Sequence, residues 1–394
     1  MSIKTQSRPG VHEDGSATKP ADNLGKSAWK KVARQKQLVL LFSRVWAWVF
    51  LAGLIVFFAA SVSIQSRGGV NFLTVRNSQN ILMAIAPVLL MGLGQTFVVI
   101  AAGIDLSVGW VMGLSSVVSA LVIVGLVDKG IYEPLAIALG CVVGIVTAMI
   151  PGLINGVIIA KLRIPSFIVT LGMSFIVRGV AFLLSGGNVV GGQPQGMRDL
   201  GNEALVYLVS GPRGGLYLLH PPPVSGEALR QLHRILQWPV VITFILLLVM
   251  LFVLHKTQFG RHVYAIGGNR EAALRAGIPV DRRMIALYTL SAATAGLAGV
   301  LSTARFSGGS SIAGDPLLLS SIAAVIIGGV SMFGGEGSVS GTLIGALIIA
   351  VMTTGLVMLN VQPFWQYVVV GVVVILAVLI DQARDLVIGK METG

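Results

Sequence analysis

Charge is what this sequence has least of. Only 11% of its 394 residues are Asp, Glu, Lys or Arg, while 55% are hydrophobic and the mean hydropathy is +0.86. A water-soluble chain cannot cover its surface at that ratio, so lipid is the solvent for most of it. A single cysteine, Cys141, excludes an intrachain disulfide. No Gly-x-x-x-x-Gly-Lys-Ser/Thr sequence occurs, which excludes ATP binding by that loop. The five histidines (His12, His220, His233, His255, His262) are scattered and none pairs with the cysteine. No metal site and no catalytic residue is therefore expected. The net charge of +12 and the pI near 10.2 do not require nucleic acid, because cytoplasmic loops of membrane proteins are rich in Lys and Arg.

What is present is a series of long, continuous apolar runs. In lipid every backbone polar group must be satisfied internally, and runs that are long rather than alternating select helices over a barrel. The expected fold is an all-α polytopic membrane protein with about ten transmembrane helices. They are placed at 38–62, 79–101, 108–127, 133–160, 165–185, 237–256, 284–304, 317–332, 338–360 and 363–381. The second, third and eighth are interrupted or short, and any of them can be broken or re-entrant. Residues 1–37 read as a disordered basic cytoplasmic tail, too long before the first apolar run for a cleaved signal. Residues 38–381 form the transmembrane domain and 382–394 a second cytoplasmic tail. With both termini inside, nineteen of the 28 Lys and Arg fall on inside segments, eight outside, and Arg178 within a span. That topology puts 257–283 in the cytoplasm and makes 186–236 the one large outside loop. Residues 225–236 have the pattern of a short amphipathic helix with Ser225 as its cap.

Several motifs stand out. Gly103-Ile104-Asp105-Leu106-Ser107-Val108-Gly109 puts a carboxylate between two membrane-depth runs. It lines a path or gate at a broken helix, or it caps the helix that follows. Asn155, Arg178, Arg305 and Asn360 are the other polar residues in or at the ends of spans. Arg305, with Ser307, Ser310 and Asp315, forms an outer cluster suited to hydroxyls, or Arg305 snorkels to head groups. Asp105, Ser107, Asn155, Arg305 and Asn360 are thus the candidate path residues. Small residues recur every fourth position at Gly140, Gly144, Ala148, Gly152 and Gly156, and again at Gly337, Gly341 and Gly345. That spacing makes a helix face for close packing or a hinge. Gly328-Gly329 and Gly334-Gly335-Glu336-Gly337-Ser338 read as a tight turn between spans rather than a phosphate cradle. The longest polar interruption of the C-terminal half is Gly267–Ile278, between two apolar runs and flanked by Lys256, Arg261, Arg282 and Arg283. A short polar helix on a basic loop is suited to gripping a soluble partner.

Gly103–Gly109, Gly267–Ile278 and the run Ile326–Ala346, followed by Phe364-Trp365-Gln366-Tyr367, strongly resemble the ribose/xylose-type permeases, the membrane subunits of bacterial ABC sugar importers. The resemblance covers about 70–381. It implies a permease in the bacterial inner membrane, a homodimer or a paired permease. Two cytoplasmic ATPase subunits would bind the ATP and Mg, and a periplasmic sugar-binding protein would deliver cargo. No cofactor is implied in this chain. The family's coupling-helix pattern, Glu-Ala-Ala then Gly, falls on Glu271, Ala272, Ala273 and Gly277, with Arg270 and Arg275 fixing its register. The implied cargo is a monosaccharide, a pentose such as xylose or ribose, or a sugar-like polyol. A nucleoside or an autoinducer sugar is the alternative cargo, and a secondary transporter the alternative machine. The long N-terminal tail and the enlarged 186–236 loop depart from the family.

Overall fold

A computed structural model describes residues 46–209, 215–220, 222, 232–362, 364–373, 375, 376, 378 and 379. The two expected tails, 1–37 and 382–394, therefore lie outside the described residues. Among the described residues, eight helices are long and apolar enough to cross a membrane. They are α1 (Trp46–Gln65), α2 (Val75–Ile100), α3 (Val108–Asp128), α4 (Glu133–Leu162), α5 (Ser166–Ser185), α7 (Trp238–Lys256), α10 (Val280–Phe306) and α12 (Val339–Met358). Short helices lie between them: α6 (Gln195–Asn202), α8 (Gln258–Gly268), α9 (Arg270–Arg275) and α11 (Asp315–Ile327), with α13 (Phe364–Val373) after them. Of the two other expected spans, 317–332 appears as the short α11, and 363–381 is described only in part, from α13 onward. The 13 residues of α11 rise only about 20 Å, less than the hydrocarbon thickness.

Burial orders these helices. The apolar stretch of α2 is 83% buried and that of α10 67%, against 22% for α1 and 28% for α4 and α5. The core is therefore α2, α10, α3 and α12, with the others wrapped around it. The small-residue row on α4 explains the tightest contact. Gly144 backs onto Ser115 and Ser119 of α3, whereas Gly152 and Gly156 back onto Ala292 and Ile285 of α10. A methyl on Gly156 would stand 2.7 Å from the Ile285 Cα, so only glycine permits this approach. One face of α4 thus serves two neighbours in succession. In the second row, Gly341 and Gly345 meet the carbonyls of Gly328 and Ala324. Gly337 does not belong to that row. It precedes α12 with φ +143°, a backbone shape that selects glycine, and it packs on Val330.

The segment 186–236 is more regular than its sequence suggests, and it adds a small sheet to an otherwise helical fold. After α6, the strands β1 (Ala204–Val209), β2 (Gly215–Leu218) and β3 (Leu232–Gln237) form an antiparallel sheet in the order β2-β1-β3. The expected helix at 225–236 is overturned over its second half, where Leu232, Ile235 and Leu236 lie on β3; Ser225, Glu227 and Leu229 lie outside the described residues. Pairing with β1, rich in Val, Leu and Tyr, outweighs the local helical pattern. Tyr207 anchors the sheet: it is fully buried, and its hydroxyl donates to Glu203 Oε2 and accepts from the Ala204 N–H. Burial, then the Glu203 carboxylate, pushes that phenol above its ordinary range.

Candidate coupling and translocation site

The polar interruption at 267–278 folds as expected into a short helix. Asn269 caps α9, its Oδ1 accepting from the Ala272 N–H at 2.9 Å. Gly277 closes it at φ +79°, donating to the Leu274 carbonyl. Glu271, Ala272, Leu274, Arg275 and Gly277 are exposed. Ala273 is not: it is 4% exposed and packs into the protein's own core. It therefore cannot seat in a partner's groove, because at the centre of one and a half helical turns one residue must face inward. Arg270 is only partly exposed and lies 3.9 Å from Asp281 at the start of α10. Glu271 and Arg275 pair at 3.8 Å, but both are more than 80% exposed, so solvent screens the pair.

Behind α9 three separate sequence blocks meet. Gly267, at the end of α8, lies between the Ile100 carbonyl at the end of α2 and the Gly335 N–H. That N–H donates to the same Ile100 carbonyl at 2.8 Å. Gly334, at φ +87°, faces Ala102. Tyr264 of α8 donates to the Gly337 carbonyl at 2.7 Å. Gly328–Ser338 is thus a turn whose glycines touch the α8 end and the α2–α3 break. Arg283 of α10 donates from Nε to His262 Nδ1 at 3.0 Å and lies over Phe259. Partial burial, then the charges of Arg283 and Arg261, hold that imidazole below its ordinary pKa, consistent with a neutral ring accepting the bond. A displacement of α9 has a contiguous packed route into α2, α10 and α12.

The break at 101–107 comes next. Ala102 turns at φ +59°, and its successors leave the helix. In a membrane the freed N–H groups need partners. Ser166 Oγ of α5 accepts from the Ile104 N–H and Thr170 Oγ1 from the Leu106 N–H, each at 3.1 Å. Asp105 is fully buried. Its Oδ1 accepts from the Ser107 N–H and hydroxyl at 3.0 and 2.6 Å, and its Oδ2 from the Ser291 hydroxyl at 2.9 Å. Gln95 donates to the Asp105 carbonyl at 2.5 Å, and Asn155 to Ser107 Oγ at 3.1 Å. Asp105 and Ser107 together thus tie α2, α3, α4 and α10 around the entry to α3. Gln95 and Ser291 escaped sequence reasoning; an amide deep inside the apolar part of the 79–101 run was the one available signal.

The other candidate path residues go elsewhere. Arg305 is half-buried and donates to Asn202 Oδ1 at 2.8 Å, joining α10 to α6. Asn360 is exposed just beyond α12 at φ +53°, a turn that asparagine tolerates. The outer cluster expected around Arg305 does not assemble. Residues 307–314 turn back along α3, with Gly309 against Ser116, Ser311 against Gly113 and Gly314 against Gly109. The Ser310 N–H donates to Ser116 Oγ at 3.0 Å. Asp315 is carried inward, away from Arg305, to the start of α11.

Residues 77–378 match the family described as branched-chain amino acid transport system / permease component. A fructose import permease of Rhizobium meliloti is 37% identical over 77% of this chain and 76% of its own. A ribose import permease of Escherichia coli K12 is 34% identical over 86% of this chain and 96% of its own. A xylose transport system permease of the same strain is 34% identical over 79% of this chain and 86% of its own. No solved structure matches the chain.

Proposed function

The chain belongs to the permease-component family of the branched-chain amino acid transport systems, and from that premise we propose that it is the membrane subunit of an ATP-driven importer carrying a monosaccharide. It is a membrane transport subunit rather than an enzyme. The sugar class follows from its relatives, which carry the names of ribose, xylose, arabinose and fructose permeases. A pentose or a sugar-like polyol is the cargo proposed for this chain. A neutral, polyhydroxylated cargo suits a bundle whose spans hold few charges, whereas an amino acid would call for matching charge along the path.

The observation that carries the mechanism is the α9 junction. Its outer face, Glu271, Ala272, Leu274 and Arg275, is free to meet a cytoplasmic ATPase. Its inner face, Ala273, packs into the core, and behind it Gly267 of α8 touches the end of α2 and the α11–α12 turn. Closure of two ATPases would push α9, and packed contacts would pass that motion to α2, α10 and α12 of two permease copies. The proposed topology has both termini in the cytoplasm of a bacterial inner-membrane protein. A periplasmic binding protein would deliver the cargo from the other side, where the β1–β3 sheet lies.

Co-purification with the ATPase in detergent tests this reading. Glu271→Ala combined with Arg275→Glu should abolish a stable complex that the wild-type chain forms. Retention of the complex would overturn the α9 assignment. Sugar accumulation by the chain alone in liposomes, driven by an ion gradient, would overturn the importer.

A further inference from the structure

Two charged side chains stand exposed near the middle of the membrane. Arg178 lies two to three residues past the centre of the 20-residue α5 and is exposed. Asp315 is exposed at the first position of α11. Its depth follows from its neighbours. The Met112 carbonyl of α3 meets Gly299 of α10, which is about 9 Å above the α10 midpoint at Ala293. Gly109 is one turn lower, about 4.5 Å, and Gly109 meets Gly314, the residue before Asp315. Trp110, the next residue, lies under the Arg178 guanidinium, 4.6 Å from its ring centroid. Both charges therefore lie at about the same depth, close to the bilayer centre, on α5 and α11 beside successive residues of α3.

Neither charge faces lipid at low cost. A charged side chain at that depth costs about 2.5–3.5 kcal/mol on insertion scales and almost always faces the bundle interior or water. Among the described residues Arg178 makes no ion pair or hydrogen bond, only the contacts with the Trp110 and Phe182 rings. The Asp315 carboxylate is likewise unpaired among them. The starts of a half-helix and of α3 abut here, which is where a broken-helix bundle opens a cavity.

We infer that Arg178 and Asp315 flank a water-filled passage at mid-membrane and that a neutral polyhydroxylated cargo passes between them. Its hydroxyls would accept from the guanidinium and donate to the carboxylate, while Trp110 holds the guanidinium flat and leaves its N–H edges free. The passage stands on the membrane depth of two exposed charges; the cargo contact rests on the importer reading above.

Two arms test it in the full permease–ATPase complex. In a Cys141→Ser background, Arg178→Cys and Asp315→Cys are treated with a membrane-impermeant cationic methanethiosulfonate. Modification of both is expected, because the reagent attacks thiolates in water. No modification at either position overturns the passage. The second arm measures uptake of labelled D-ribose, D-xylose, L-arabinose and D-fructose into proteoliposomes. For the sugar that the wild type imports, Arg178→Gln and Asp315→Asn should each raise KM at least tenfold while ATPase co-purification is unchanged, with Arg178→Lys intermediate. An unchanged KM overturns the cargo contact. So does restored import in the charge-exchanged double variant, which would make the two an ion pair between copies. Import of none of the four sugars by the wild type would sink the importer reading instead, and thiol modification would still decide the passage.

Discussion

At the scale of single residues, backbone contact decides more than side-chain chemistry. Gly267 has the Ile100 carbonyl and the Gly335 N–H against its Cα, so no side chain fits there. Gly267→Ala is expected to separate α8 from α2 and to destabilise the protein by about 1–3 kcal/mol, as overpacking does. Thermal unfolding in detergent would show it; an unchanged midpoint would mean that this junction is loose. Asp105 is the opposite case, a buried acceptor of three bonds. Asp105→Ala leaves the Ser107 and Ser291 donors buried and unpaired, at about 1–3 kcal/mol for each group. Asp105→Asn keeps one acceptor and should lose less. Equal losses in the two variants would argue that packing, not hydrogen bonding, holds the break. The Gly103–Gly109 block was visible in sequence as a carboxylate between apolar runs. Its partners were not, because Ser291 lies 186 residues away and serines in apolar helices carry no pattern of their own.

At the scale of the element, α9 has two faces that one sequence motif does not separate. Ala272 is exposed and Ala273 is buried. Ala272→Arg should leave stability within about 0.5 kcal/mol of wild type yet block the ATPase complex, since exposed substitutions rarely move stability. Ala273→Arg should unfold the junction, because it buries an unpaired charge. The pair is read by unfolding midpoint and by co-purification; the reverse ranking would show that the helix docks by its other side. The small-residue row of α4 was legible from spacing alone. Which neighbour each glycine meets was not, since α3 and α10 share that face. Gly337 illustrates the limit: its spacing joined it to Gly341 and Gly345, but its φ sets it in the turn.

At the scale of the whole molecule, the expected outcome is cargo discrimination by neutrality. Uptake by the reconstituted complex should be competed by unlabelled pentoses and left unchanged by excess leucine. Competition by leucine alone would return the branched-chain amino acid reading of the family description. The eight helices of membrane-crossing length among the described residues follow from composition, because a chain this apolar has no other way to satisfy its backbone in lipid. Their order and approximate bounds were legible for the same reason: each run is long enough to signal by itself. Length also announced α11 as irregular, although not where its first residue would lie.

Sequence by itself determined the solvent, the helical class, eight of the ten expected spans and the existence of the α9 helix, since these rest on local runs, caps and turns. Tertiary structure alone decided which residues meet. It drew Asp105 into a bonded cluster, tied Arg305 to Asn202, and carried Asp315 away from Arg305 to the level of Trp110 and Arg178. It also turned Leu232–Gln237 from a helical pattern into a strand. Each of these depends on partners distant in sequence, and a pairing between distant segments leaves no periodic trace in either one.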